Sequence, residues 1–141
     1  MSAEKIFFDE VDMLGNKLKP YYGIEFGERL NQYMRTLMLL FISIAKNLKN
    51  KLDIRDWRQR VETVRFELSN LLNSYNNAWR SLDMQALLGQ IFNEVIQHAQ
   101  DVIQKNSSAD ASFEKLGNLL SVFDAQISNG VIQQNPDKFI V

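Results

Sequence analysis

The chain has no cysteine, one histidine, two prolines and six glycines in its 141 residues. Without cysteine there is no disulfide, no thiolate metal site and no cysteine nucleophile. One histidine, His98, cannot supply the two Glu-x-x-His motifs that a di-iron bundle uses. Few prolines and glycines leave long stretches unbroken, which favours long helices over many short strands. No stretch alternates with period two.

Long hydrophobic runs are missing as well. The most apolar passage, LMLLFISIA over Leu37–Ala45, lies between Arg35 and Lys46. It falls well short of the about 20 residues that a membrane-spanning helix needs. Its length predicts a core helix buried on nearly every side. The opening residues, MSAEKIFFDEVDM, are acidic and lack a basic stretch followed by an apolar one. They do not read as a signal peptide, so the expected location is cytoplasmic.

What the chain does carry is helical periodicity. Hydrophobic residues make up 45% and charged residues 23%, a balance that argues for a folded domain rather than disorder. Ile54, Trp57, Val61, Val64, Leu68, Leu71, Tyr75, Ala78 and Leu82 are spaced by alternating threes and fours, a heptad stripe. Leu72 and Trp79 widen it. Asn73, Asn76 and Asn77 are weak helix formers that sit on its outer face or mark where that helix loosens. The phase fails after Leu82, where Met84, Leu88, Ile91, Val95, Ala99 and Val102 open a new face with Asp83 as a plausible N-cap.

Shorter stripes complete the pattern. Phe7, Val11, Leu14 and Leu18 form one that Pro20 closes, because proline disfavours a helical residue before it. Phe26, Leu30, Tyr33, Leu37, Leu40, Ile44 and Leu48 form another. Phe113, Leu116, Leu120, Phe123 and Ile127 form the last, ending at Gly130 as a left-handed C-cap. The predicted helices are 3–19, 25–49, 54–81, 84–105 and 111–128. The expected fold is all-α: an up-down bundle of four long helices plus a shorter N-terminal one, in a single domain over 1–141 with 129–141 as a C-terminal tail.

Catalytic groups are sparse. Glu94 and His98 share a helix face, which reads as a solvated pair rather than a metal site. Met13, Met34, Met38 and Met84 read as packing residues rather than haem ligands. The serines have no neighbouring base in sequence, and the glycines of YYGIEFGE have the wrong spacing for a phosphate loop. No enzyme, metal or cofactor is expected.

Charge is polarised although the net charge is only −1. Residues 46–65 hold seven basic and three acidic residues, 7 − 3 = +4, whereas residues 66–141 hold four basic and eight acidic, 4 − 8 = −4. Arg55, Arg58, Arg60 and Arg65 therefore form a candidate surface for an acidic partner. Phe66 occupies the position opposite the heptad stripe and is a second candidate contact. The C-terminal Phe139-Ile140-Val141 could be captured through the Val141 carboxylate or tuck onto its own domain.

These features point to a non-enzymatic protein–protein interaction module, an adaptor, inhibitor or regulatory subunit. Its partner is another protein or a second copy of the chain, the homo-oligomer being favoured. A sensor or carrier of a small apolar ligand is the alternative. Nucleic-acid or anionic-surface binding through residues 46–65 is a weaker one, because a sequence pI near 5.8 sets the overall balance against it.

Overall fold

The computed structural model describes residues 14–138, and every described element is helical. Phe7, Val11, Met13 and Val141 lie outside that range. Helix α1 covers 14–22 of the described residues and runs through Pro20 instead of closing there. Proline's missing N–H deprives only the Asn16 carbonyl of its helical donor, and Asn16 faces solvent. The helix stops at Gly23, whose N–H donates to the Lys19 carbonyl at 2.8 Å. Gly23 has φ +96°, a conformation that a side chain would disfavour, and the chain doubles back from it into α2.

Helix α2 (Ile24–Lys49) buries Phe26, Leu30, Leu37, Leu40 and Ile44 along one stripe. The expectation that its apolar centre is buried all round is corrected here. Leu39 is 54% exposed, and Met38, Phe41, Ile42 and Ala45 are only half-buried. The apolar arc of α2 is wider than its neighbours cover.

Helix α3 (Arg55–Tyr75) carries the heptad stripe but ends earlier than the stripe predicts. Val61, Leu68 and Leu71 are buried, with Ile54, Trp57, Val64 and Tyr75 packed at the core's edge. Ala78 and Leu82, the last two members, are exposed. The cause is Asn76. Its Oδ1 accepts from the Ala78 N–H at 2.8 Å, and its Nδ2 donates to the Gly130 carbonyl at 2.8 Å and to the Tyr22 hydroxyl at 3.0 Å. Those bonds compete with helix continuation and turn the chain inward. Trp79 then enters the core, fully buried. With Tyr22, Phe26 and Tyr75 it forms an aromatic cluster whose ring centroids lie 4.5 to 6.3 Å apart.

Because the turn comes early, α4 (Ser81–Ile103) starts before Asp83. Arg80 is the extended residue at its N-cap, and Asp83 lies in the first turn. There its negative charge still suits the helix's positive end. Helix α5 (Ala109–Gln134) passes straight through Gly130, which is helical and buried rather than a cap. A short 3-10 turn, Pro136–Lys138, follows. Residues 129–134, expected to be tail, thus continue the last helix.

The tight turns α2–α3 and α4–α5 each contain a lysine in the left-handed region, Lys51 at φ 59° and Lys105 at φ 55°. Helix α4 is the hub of the long helices. It packs on α2, α3 and α5, and α2 also packs on α3, but α2 and α5 form no substantial contact.

Candidate functional site

The gap between α2 and α5 is an open groove of about 820 Å³ running along α4. Met34, Met38, Phe41, Ile42 and Ala45 of α2 form one wall, and Leu116, Leu120 and Phe123 of α5 form the other. Ile91, Val95, Ala99 and Val102 of α4 make the floor, and Leu14 of α1 stands at one end. Val102 is 54% exposed and Leu120 45%, so this apolar surface meets solvent.

Side-chain contacts fix the level of each residue along the groove. Phe41 of α2 stacks on Phe92 of α4 at 5.7 Å. Glu94 of α4 pairs with Lys115 of α5 at 3.0 Å. Counting along the helices from these contacts places Lys49 and Lys46 beside the C-terminal part of α4. It places Asp124 at the opposite end, level with Met34. The groove therefore has a cationic end, an apolar middle and an anionic end, and all three charged residues line it.

His98 lies at the cationic end but does not meet Glu94, which Lys115 engages instead. His98 Nδ1 is 3.1 Å from both the Ala109 carbonyl oxygen and Ser112 Oγ. A carbonyl oxygen only accepts, so Nδ1 carries the hydrogen in this contact. Ser112 Oγ donates to the same carbonyl at 3.0 Å. In this arrangement His98 cannot take the Ser112 proton through Nδ1, and the cluster pins the start of α5 to α4.

Asp101 beside it is buried. Burial works to raise its carboxyl pKa, but side-chain hydrogen bonds, those from Asn106 and Gln97 among them, outweigh that and hold it below the usual carboxylate value. Gln97 Nε2 donates to Oδ1 at 3.0 Å and Asn106 Nδ2 at 3.3 Å. Among the described residues no group of three His, Asp or Glu side chains is placed to hold a metal ion. No described helix is long and apolar enough to cross a membrane.

The surface predicted from charge is scattered. Arg55 pairs with Asp53 at 2.7 Å in solvent. Arg58 lies over the Phe92 ring at 5.8 Å and Arg60 over Trp57 at 4.9 Å. Arg65 pairs with Glu62, reaches the Gln85 carbonyl at 3.0 Å and occupies the space beside Gly89. Phe66 is 55% exposed and lies outside the groove. None of these lines the groove. The sequence signal that could have revealed it is the width of the apolar arc in α2, too broad for one packing face, which predicted all-round burial instead.

No protein-family model, no curated protein and no solved structure matches the chain.

Proposed function

We propose that the protein is a non-enzymatic interaction module whose α2–α5 groove receives an amphipathic helix of a partner protein. The observation that carries this reading is that α2 and α5 both pack on α4 without packing on each other, leaving an apolar channel between them. Grooves of this kind take helices through apolar anchors at i, i+3, i+4 and i+7. Methionines at positions 34 and 38 suit such a surface, since their unbranched side chains adapt to different ligands.

The test uses the full chain and a library of helical peptides. Selected peptides should share the i, i+3, i+4, i+7 apolar pattern. Leu120→Asp and Val102→Asp, both at exposed groove positions, should weaken their binding by about tenfold or more, because a buried unpaired carboxylate opposes docking. Phe66→Asp, outside the groove, should leave it unchanged. Binding that ignores the groove substitutions, or falls equally with Phe66→Asp, defeats the proposal.

A second reading rests on the groove's size, which falls within the range of small-molecule sites of about 300–1,000 Å³. Native mass spectrometry separates the two. An apolar small mass retained by the intact chain, and displaced from it by no peptide, favours the carrier. Nucleic-acid binding through residues 46–65 has less support, because Arg65 is engaged with α4 and the other arginines diverge.

A further inference from the structure

Leu14 stands at one end of the groove, and the chain before it carries an apolar stripe of its own. We infer that residues 1–13 continue α1 as a helix along the α2–α5 groove, so that the chain closes its own docking site and a partner helix must displace them. The displacement rests on the groove being a docking site; the seat of the segment does not.

Direction is the first argument. Helix α1 runs antiparallel to α2: the Gly15 N–H donates to Asn31 Oδ1 at 3.0 Å, and a Cβ on Gly27 would meet the Gly15 carbonyl oxygen and the Lys19 side chain. Each step back along α1 is therefore a step forward along α2. Continued past Leu14, the same count sets Val11 level with Met34 and Phe7 level with Met38, both of which line the groove.

The second argument is the face presented. Phe7, Val11, Leu14 and Leu18 follow one another at helical spacing. Leu18 is buried and Leu14 lines the groove, so the stripe on α1 already points inward. Phe7 and Val11 extend that stripe over the floor made by α4, while Lys5, Asp9 and Asp12 fall on the opposite side. Residues 1–13 contain neither proline nor glycine to break the helix.

Reach is the third. Thirteen helical residues extend about 20 Å, and the wall of α2 from Met34 to Ala45 is about 17 Å long at the same rise. A segment joined to α1 also acts at an effective concentration of about millimolar, so a separate helix enters only by outcompeting it.

The chain has no cysteine, so two introduced cysteines report only on each other. Phe7→Cys/Met38→Cys and Val11→Cys/Met34→Cys set the level positions against one another. Phe7→Cys/Phe66→Cys is the control, because Phe66 lies outside the groove. Under mild oxidation of the dilute full chain, the two level pairs should close within one molecule and run faster on a non-reducing gel. The control should stay reduced, since a disulfide needs Cα atoms within about 7 Å.

A fluorescein-labelled amphipathic peptide of about four turns, with leucines at i, i+3, i+4 and i+7, then reads the groove by anisotropy. Closing either level pair should abolish its binding, and reduction should restore it. Phe7→Asp/Val11→Asp should tighten binding about fivefold, the gain for a segment that fills the groove about four-fifths of the time.

Equal cross-linking of all three pairs, or none in the level pairs, overturns the inference, and peptide binding then leaves the groove as an open docking site. A disulfide that joins two molecules hands the groove to a second copy and overturns it as well. Level pairs that close while the peptide binds oxidised and reduced protein alike overturn the displacement. Level pairs that close while the peptide binds none of these proteins, Phe7→Asp/Val11→Asp included, remove the displacement together with the docking site and leave the segment as part of the core.

Discussion

Trp79 occupies the space that a side chain at position 130 would need. A Cβ built on Gly130 would stand 2.1 Å from the indole Nε1. That nitrogen donates to the Gln126 carbonyl at 3.2 Å, one turn earlier on the same helix. The turn after α3 and the far part of α5 are thereby held in direct contact, with Asn76 bonded to the Gly130 carbonyl beside them.

Gly130→Ala tests that contact, because two effects oppose each other there. Alanine favours a helix interior by about 1 kcal/mol over glycine. Forcing a methyl group into a filled core costs about 1–3 kcal/mol. The indole is fully buried and cannot step aside, so the second effect wins and the urea midpoint should fall. A midpoint that rises would mean that α5 does not press on Trp79.

Asp101 gives the protein a defined sensitivity to acid. Its folded pKa lies below the ordinary value of 3.8, so the folded state binds this proton less readily than the unfolded state. The stability contributed is therefore fully present above the unfolded value and lost as pH falls through the folded one. Asp101→Asn should destabilise the protein near neutrality, and the difference from wild type should shrink below about pH 4. Urea titrations across that window check the sign. A difference constant with pH would show that the carboxylate charge contributes nothing.

Gly27→Ala probes the crossing of α1 over α2. A Cβ at Gly27 would meet the Gly15 carbonyl oxygen at 2.6 Å and the Lys19 side chain at 2.4 Å. Lysine can move, but the backbone of α1 can yield only by shifting as a unit. Amide exchange over 15–22 should accelerate, and stability should drop by about 1–3 kcal/mol. Unaltered exchange there would mean that the two helices do not approach so closely.

The stripes of α2, α3 and α4 were legible because their periodicity is the packing itself. Leu30, Leu37 and Ile44, or Val61, Leu68 and Leu71, are buried at the spacing that announces them. The end of α3 was not legible in the same way. Heptad counting carries on through Ala78 and Leu82, whereas Asn76 stops the helix by bonding to Tyr22 and Gly130, which are remote in sequence. The cluster of weak helix formers at Asn73, Asn76 and Asn77 marked the place without fixing the residue. Gly130 misled because a glycine serves equally as a cap and as clearance for an indole. For the groove, periodicity identifies Met38, Phe41 and Leu120 as apolar but says nothing of which helices stay apart.

The pattern of helix neighbours also bears on how the chain reaches its fold. Of the substantial pairings among the four long helices, α2–α3, α3–α4 and α4–α5 join consecutive elements, and only α2–α4 skips one. Contacts close in sequence need little loop closure before they reward folding. The missing α2–α5 contact, the same absence that opens the groove, spares the chain one distant pairing of long helices, so that the long closure is left to Lys138 over the Tyr21 ring at 5.0 Å. Low contact order among the long helices, the property that lets helical bundles fold in about microseconds to milliseconds, is the kinetic counterpart of an unclosed ring of helices.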